Sequence, residues 1–202
     1  MSRLRRALLA ALPLAAAVPL AAPAEAQAVD VTFRFVPDLT TPAISPVVRA
    51  FVPGSFNDWG PNSNGRITTG APSQATFEPV LGEYRYTTSL EAGQQYLYKI
   101  HVHENDAGTT FTWYTDPLGT ETSGQFVDSV IRVADPFVFQ VAREQEGTDQ
   151  VVAVSAGVFG TEAITSVAIT VNETTYTDGI EDTGDGIYRF VLPEPVPPGS
   201  FV

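Results

Sequence analysis

Short runs of β-branched and aromatic residues alternate with clusters of Gly, Pro, Asn and Asp along most of the chain. Such runs are typical of β-strands joined by turns, and helical periodicity is not visible in any segment. The pattern predicts strands at 29–36, 47–52, 75–80, 83–90, 95–103, 110–115 and 126–133. About seven strands at this spacing favour an immunoglobulin-like β-sandwich.

The same pattern resumes after Asp135 and Pro136, with runs at 137–142, 150–157, 164–171, 174–177 and 187–192. We therefore predict an all-β protein with two tandem immunoglobulin-like β-sandwiches, at 29–134 and 135–202. The second has too few strands to close both sheets, and an open sheet edge is a liability for a folded protein. We expect this sandwich to be incomplete and the chain to be the front of a longer protein.

The first 28 residues have a different composition. Three arginines within residues 3–6 precede an apolar run at 7–22, and small residues at 24, 26 and 28 have the spacing that a signal peptidase requires. Prolines interrupt the apolar run, which lacks the roughly 20 uninterrupted apolar residues of a membrane-spanning helix. We predict that 1–28 is a cleaved signal peptide and that the protein is secreted, periplasmic or on the cell surface, with no membrane association after cleavage.

Composition and charge narrow the classes of partner. The chain has 202 residues, of which 44% are hydrophobic, which is enough for a packed core. Its net charge is −12, and the predicted mature chain, with 8 basic and 22 acidic residues, has −14. This charge repels phosphate backbones, so we expect no nucleic-acid partner. The absence of cysteine excludes disulfides and thiol nucleophiles.

The most informative segment is 48–61, where a predicted strand runs into a turn around Trp59. Prolines and glycines on both sides disfavour regular structure, which predicts that the indole is presented on a loop. A flat apolar ring with a polar edge suits the face of a sugar. The alternative is that Trp59 folds back over the core. Polar neighbours that would bond sugar hydroxyls are Asn57, Asp58, Asn62 and Asn64.

Five segments together resemble one known family. They are Gly-Ser-Phe-Asn-Asp-Trp at 54–59, Gly-Glu-Tyr at 82–84, Gly-Gln-Gln-Tyr-Leu-Tyr-Lys-Ile at 93–100, Trp-Tyr-Thr-Asp-Pro at 113–117 and Phe-Val-Asp-Ser-Val-Ile-Arg-Val at 126–133. In order and approximate spacing they are similar to the family 48 carbohydrate-binding modules. That family includes the glycogen-binding domain of the AMP-activated kinase β subunit and the early-set N-terminal domains of amylase-family enzymes. The resemblance covers 29–133.

The resemblance implies a binding surface for an α-1,4-glucan, with Trp59, Lys99 and Trp113 in contact with the sugar. Kinase members of the family also use an Asn in the last motif, where this chain has Asp128 and Ser129. Asn57 and Ser129 complete the carbohydrate-binding residues that we predict. The resemblance also implies a downstream catalytic domain, although many enzyme-attached members of this fold only pack against their catalytic barrel.

Strand alternation gives an independent expectation for Lys99. In 95–103 one face carries Tyr96, Tyr98, Ile100 and Val102 and is predicted to be the core face, so Lys99 points outward with His101 and His103. The face of Trp113 depends on register. A four-residue turn at 105–108 sets Trp113 opposite Ile100 in the core, whereas one extra residue moves it to the face of Lys99. The sequence leaves both arrangements open.

Two weaker patterns concern metals. His101 and His103 lie beside Glu104, but we interpret two histidines on an exposed strand as solvated. Four acidic residues could surround a calcium ion, although they lack the EF-hand spacing and are better explained as a solvated turn. They are Asp178, Glu181, Asp182 and Asp185. We expect no metal and no cofactor.

Nothing in the sequence resembles a nucleophile with its base, so we expect no catalytic site in this chain. The predicted function is a non-catalytic module that binds glycogen, starch or maltooligosaccharides at the N-terminal part of a secreted amylase-type glycoside hydrolase. The alternative is a structural or cell-surface β-sandwich spacer that binds no sugar. A downstream catalytic barrel would favour the first, and further sandwiches the second.

Overall fold

A computed structural model describes residues 27–39, 44–134, 136–146, 148–157, 164, 166–171 and 173–194. Nearly all of the predicted signal peptide, and residues 195–202 of the predicted incomplete second sandwich, lie outside the described residues. Within them the chain forms strands, one 3₁₀ turn (Pro37–Leu39) and no α-helix. The strands are β1 (Ala28–Phe35), β2 (Arg49–Phe51), β3 (Asn62–Ser63), β4 (Arg66–Ile67), β5 (Thr76–Glu78), β6 (Glu83–Glu91), β7 (Gln95–Tyr98), β8 (Ile100–His103), β9 (Phe111–Tyr114), β10 (Thr122–Ser123), β11 (Asp128–Arg132), β12 (Phe137–Glu146), β13 (Asp149–Gly157), β14 (Ile169–Val171), β15 (Thr174–Tyr176), β16 (Ile180–Asp182) and β17 (Ile187–Val191).

These strands form several small sheets with antiparallel pairing throughout. The sheets have the orders β1-β6-β5, β2-β8-β9, β10-β11-β7, β3-β4, β12-β13-β17-β16 and β14-β15. The predicted all-β class is confirmed, and the arrangement is consistent with a β-sandwich. The finer prediction of two tandem immunoglobulin-like units stays a prediction.

The main core is built from alternate residues of β1 and from aromatic rings of other strands. Phe33 is fully buried, and its ring centroid lies 4.8 Å from that of Tyr98, 5.2 Å from that of Phe139 and 5.6 Å from that of Phe56. Tyr98, Ile100 and Val102 have no exposed surface. The core face predicted for 95–103 is therefore correct, although Lys99 interrupts the predicted strand between β7 and β8.

Strand β12 begins just after the predicted domain boundary and packs directly against the preceding strands. Phe137 and Phe139 belong to the same buried cluster as Phe33. The backbone amide of Thr120 donates to the carbonyl of Phe139 at 3.1 Å. The chain after 134 therefore contributes to the core of the chain before it, and the division at 134/135 remains a prediction.

A buried polar network crosses this junction and centres on Asp116. The Tyr98 hydroxyl and the Gln140 side-chain amide both donate to Asp116 Oδ2 at 2.6 Å. Gln140 also accepts from the backbone amide of Arg34 and donates to its carbonyl, at 2.9 and 2.8 Å. Burial raises the pKa of Tyr98 well above its usual value and raises that of Asp116. These polar groups are tolerated in the interior because each of them has hydrogen-bond partners.

Candidate functional site

The turn that carries Trp59 spans residues 53–60 and is called the Trp59 turn below. The backbone amides of Asn57 and Trp59 donate to the carbonyl of Gly54 at 3.1 and 2.9 Å. Trp59 has a φ of 56°, in the left-handed region that residues with a side chain adopt rarely. Gly60 has a φ of 107°, and a Cβ atom there would lie 2.6 Å from Ile67 Cδ1. The turn is therefore locally fixed, with the Trp59 side chain half-buried.

The Trp59 turn is fastened to the strand that contains Lys99. Gly54 forms a bridge with Tyr98, and the amide of Lys99 donates to the carbonyl of Pro53 at 2.9 Å. The Ser55 amide donates to the carbonyl of Leu97 at 2.9 Å, and the Ser55 hydroxyl accepts from the Leu97 amide at 3.1 Å. Trp59 is thus held beside one edge of the β7–β8 strand.

Asn57 braces the Trp59 turn from inside. Its Oδ1 accepts from the Gly54 amide, and its Nδ2 donates to the Val52 carbonyl, both at 2.9 Å, and approaches the Tyr86 hydroxyl at 3.4 Å. Both ends of the amide are thus engaged within the protein. The structure gives Asn57 a role in holding the turn.

Truncation of this brace should destabilise the protein. We expect Asn57→Ala to lower the free energy of unfolding by about 1–2 kcal/mol, because buried backbone groups at Gly54 and Val52 lose their partner. Urea denaturation without ligand measures the change. Gln125→Ala, which truncates an exposed amide, is the control and should unfold like the wild-type chain. An Asn57→Ala curve that coincides with the wild-type curve would contradict the assigned role.

The register of β8 and β9 determines the face of Trp113. His101 pairs with Trp113, and Ile100 pairs with Tyr114. The connecting loop has one residue more than the four-residue turn considered above, since the amide of Glu104 donates to the carbonyl of Thr110 at 2.9 Å. Trp113 therefore lies on the face that also carries Lys99 and His101. Its half-buried indole donates from Nε1 to the Gly65 carbonyl at 2.7 Å.

The hairpin of β3 and β4 connects the two tryptophans. Asn62 Nδ2 donates to the Trp59 carbonyl at 3.2 Å, and Asn62 Oδ1 accepts from the Gly65 amide at 3.2 Å. Gly65 in turn accepts the hydrogen bond of Trp113. Asn62 thus acts partly as a brace. Asp58, which precedes Trp59 in the chain, and Asn64, in the turn between β3 and β4, are both exposed.

The Lys99 ammonium lies against the β10–β11 turn. Nζ donates to the carbonyls of Phe126 at 2.8 Å and Val127 at 3.3 Å, and it lies 3.4 Å from Asp128 Oδ1. The Lys99 side chain is 14% exposed. The Lys99 side chain points away from the core, as the alternation predicts, but its ammonium group contacts the β10–β11 turn of the same protein.

Ser129 lies in the interior. It pairs with Tyr98, has no exposed surface, and its hydroxyl accepts from the Asp116 backbone amide at 2.8 Å. The structure therefore brings Trp59, Lys99 and Trp113 to one region and leaves Ser129 beneath it. The inward direction of Ser129 follows from its pairing partner, a core residue of β7, which sequence reasoning did not anticipate.

The histidines of β8 form a second buried layer on the face opposite the main core. His101 and His103 have no exposed surface, so the expectation that they are solvated is wrong. The pairing aligns Phe51, His101 and Trp113, and His101 lies 4.8 Å from Trp113 and 5.3 Å from Phe111 between ring centroids. The aromatic residues at alternate positions of β9 were a usable indication of this layer.

Burial determines the charge of these histidines. Burial, together with the neighbouring His103, lowers the pKa of His101 to about 4. Among the described residues neither ring nitrogen of His101 has a hydrogen-bond partner, whereas His103 Nε2 lies 2.8 Å from the Ile67 carbonyl. Neutral imidazoles therefore fill this layer near pH 7.

In the described part of the chain, no group of three or more His, Cys, Asp or Glu residues is arranged to hold a metal ion. Of the four acidic residues considered for calcium, Asp182 accepts from the Gly184 amide at 2.8 Å, and Asp185 forms an ion pair with Arg85. No helix among the described residues is both long and apolar enough to cross a membrane.

Comparisons with family models, with curated proteins and with solved structures find no match to this chain. The resemblance to family 48 carbohydrate-binding modules consequently stays a prediction that rests on the five segments named above.

Proposed function

We propose that the surface around Trp59 and Trp113 binds an α-1,4-glucan and that the chain is the N-terminal, non-catalytic part of a secreted amylase-type glycoside hydrolase. The proposal includes a cleaved signal peptide and two tandem immunoglobulin-like sandwiches. One observation carries it: the pairing of His101 with Trp113 brings this indole to the face of Lys99, beside the fastened Trp59 turn.

The physical basis is the presentation of two half-buried indoles on a braced surface. Rigid aromatic rings offer contact area to the apolar faces of sugars and lose little conformational entropy on binding. The exposed side chains of Asp58, beside Trp59 in the chain, and Asn64, in the β3–β4 turn, supply polar groups for hydroxyls. Because a shallow surface also loses bonds to water, we expect a dissociation constant of about 1 mM, worth roughly 4 kcal/mol.

A titration of the purified chain with maltoheptaose tests the proposal. The chain contains two tryptophans, so the two indole N–H resonances in a nitrogen-15 NMR spectrum report on Trp59 and Trp113 separately. We expect saturable shifts with maltoheptaose and a loss of affinity of about tenfold or more in Trp59→Ala, since a factor of ten equals roughly 1.4 kcal/mol.

Cellohexaose, which differs in linkage, is the ligand control, and Phe77→Ala is the protein control because it truncates an exposed aromatic ring on β5. Equal shifts with both sugars would argue against an α-glucan site. No response to maltoheptaose at about 10 mM, well above the millimolar range of weak binding, would reject the proposal.

The second candidate is a structural spacer without sugar binding. The observation that favours it is the engagement of Asn57, Lys99 and Ser129 in internal hydrogen bonds. A polar group that is already paired gains little from a sugar hydroxyl. The same titration discriminates the two functions, because a spacer gives no saturable response.

A further inference from the structure

Both histidines of this protein lie in the buried layer on the face of β8 opposite the main core, which is called the histidine layer below. The rings of His101 and His103 lie 5.2 Å apart between centroids, and β9 faces them with Phe111 and Trp113, which do not titrate. Histidine is the side chain whose ordinary pKa falls between 5 and 8. Mildly acidic pH therefore favours protonation here before it affects carboxyl groups with ordinary pKa values.

The closed histidine layer has no place for an additional proton. Among the described residues, neither ring nitrogen of His101 nor Nδ1 of His103 has a hydrogen-bond partner. His103 Nε2 lies 2.8 Å from the Ile67 carbonyl, which can only accept, so Nε2 carries the hydrogen of the neutral ring. A second proton on either ring would create a buried charge and a buried N–H donor without an acceptor, and both are costly.

The basic side chains around the layer oppose a positive imidazole. Burial is the largest influence on His103 and lowers its pKa; the hydrogen bond to Ile67 raises it, and the charges of Arg49 on β2 and Arg66 on β4 lower it again. Lys99 is a third cation on this face, and its ammonium contacts the β10–β11 turn. Protonation of the layer would thus add positive charge beside existing positive charges.

The acidic side chains between β8 and β9 do not offset this charge. Asp106 is 93% exposed and lies 3.7 Å from Arg49. Glu104 accepts a hydrogen bond from the Thr112 hydroxyl at 2.7 Å, and Thr112 pairs with Val102, a residue of the core face. The first carboxylate is therefore in solvent, and the second is engaged on the opposite side of the strand pair.

The cover of the histidine layer is the β3–β4 hairpin, whose two strands have only two residues each. An isolated two-stranded hairpin is marginally stable at best, so its position depends on contacts with the rest of the protein. Two of these contacts are made by β8 and β9: the His103 ring meets the Ile67 carbonyl, and the Trp113 indole donates to the Gly65 carbonyl at 2.7 Å. Segments with so few bonds of their own open at low free-energy cost.

We propose that the histidine layer is an acid-sensitive switch, in which protonation of His101 and His103 favours a state with the β3–β4 hairpin detached from β8 and β9. Detachment exposes both imidazoles to water, where a proton is no longer penalised by burial. Ile100 and Val102 pack in the main core on the other face of β8, so this opening is local.

The opening has a consequence for the surface around the two tryptophans. Asn62 of the hairpin donates to the Trp59 carbonyl, and Gly65 accepts from the Trp113 indole, so a detached hairpin supports neither tryptophan. Loss of a preorganised surface weakens binding, because the ligand must then also order it. The expected release of glucan in mild acid rests on the proposed function, whereas the opening itself does not.

Hydrogen exchange of the Trp113 indole N–H, followed by NMR of the purified chain without ligand, tests the opening. The pKa of His101 is about 4 in the closed state and near 6.5 once the ring is exposed, so the opening equilibrium should rise about twentyfold between pH 7 and pH 5. We expect the protection factor of this N–H, which is corrected for the intrinsic effect of pH, to fall by the same factor. An unchanged protection factor would overturn the switch.

Urea distinguishes local opening from global unfolding. At pH 5, about 1 M urea should leave the exchange of the Trp113 indole nearly unchanged, because a local opening exposes little surface. The same urea should accelerate exchange of the Val130 amide, which donates to the Glu121 carbonyl at 2.9 Å in a distant strand pair. Equal acceleration at both positions would show that the hairpin opens only when the whole chain unfolds, and would overturn the proposal.

Two variants and a matched control assign the response to the histidines. His101→Phe keeps an aromatic ring without titrating nitrogens, and His103→Gln keeps a donor for the Ile67 carbonyl. In each variant, the protection factor should fall less on acidification than in the wild-type chain. Glu104→Gln removes a titrating group next to the layer in sequence and should retain the twentyfold fall. A wild-type response in both histidine variants would overturn the assignment, and either variant suffices if the other does not fold.

Titrations with maltoheptaose at pH 7 and pH 5 test the consequence for binding. We expect weaker binding at pH 5 in the wild-type chain and a smaller difference between the two pH values in His101→Phe. Opening of the hairpin with equal affinity at both pH values would overturn the control of binding. Absence of binding at pH 7 would reject the proposed function, while the exchange measurements decide separately whether the switch exists.

Discussion

Replacing Glu83 with alanine is expected to lower the free energy of unfolding by about 3–5 kcal/mol, because it removes the acidic partner of a buried ion pair and leaves the basic partner buried. Glu83 is 1% exposed, and its carboxylate accepts from Arg34 at 2.8 and 2.5 Å and from Arg85 at 2.5 Å. In the wild-type chain the Arg34 guanidinium, which is 4% exposed, contacts two carboxylates. In the variant only Glu144, at 2.5 Å, is left to pair with it. Burial alone lowers the pKa of Arg34, but hydrogen bonds and charges of Glu83 and Glu144 raise it above its usual value. Arg34 therefore stays charged and needs compensation.

Glu121→Ala is the matched control for this experiment. Glu121 accepts two hydrogen bonds from Arg132, at 2.8 and 2.5 Å, but the two side chains are 41% and 56% exposed. Solvent screens such a pair, so we expect little change in stability. Urea denaturation at pH 7 compares both variants with the wild-type chain. Equal losses would contradict burial as the cause, and no loss in Glu83→Ala would show that the cluster does not stabilise the fold.

Acidification is expected to remove stability through His101, by on the order of 3 kcal/mol between pH 6.5 and pH 4. The folded-state pKa of His101 is about 4, whereas an unfolded histidine titrates near 6.5. In this window the unfolded chain binds the proton and the folded chain does not. The contribution is therefore fully present above pH 6.5 and is lost as the pH falls toward 4. The lowered pKa of His103 acts in the same direction.

His101→Phe isolates this contribution from that of the many carboxylates. Phe51, Phe111 and Trp113 surround the site, so an aromatic ring without titrating nitrogens fits its chemistry. Urea denaturation at pH 7 and pH 4.5 measures the pH dependence of each chain. We expect the stability of His101→Phe to fall less on acidification than that of the wild-type chain. Parallel losses in both chains would rule out His101 as the acid-sensitive group.

The alternation of apolar and polar residues correctly predicted which side chains are buried where only one face of a strand packs against a core. Alternation in 95–103 correctly assigned Tyr98, Ile100 and Val102 to the interior, since successive side chains of a strand point to opposite faces. It failed for His101 and His103 because a second aromatic layer covers the other face of β8. That layer requires β2 and β9 to pair on both sides of β8, which is a long-range event.

The candidate site was only partly accessible from sequence. The Trp59 turn was predicted from its glycines and prolines, because these residues act on the chain locally. The face of Trp113 depended on one residue in the 105–109 loop, since a register shift of one position moves every side chain to the opposite face of the strand. The sugar-contact roles of Asn57 and Ser129 stay predictions, and the structure engages both side chains in internal hydrogen bonds, of Asn57 within its own turn and of Ser129 with the backbone of Asp116.

The sequence by itself determined the all-β class, most strand positions, the acidic surface charge and the turn that presents Trp59, because composition, alternation and turn chemistry are properties of neighbouring residues. Tertiary structure alone decided the register of β9, the burial of the histidines and Ser129, the contact of Lys99 with the β10–β11 turn and the clusters around Asp116 and Glu83. Each of these depends on which distant strands pair and pack, and burial and charge compensation arise only from that packing.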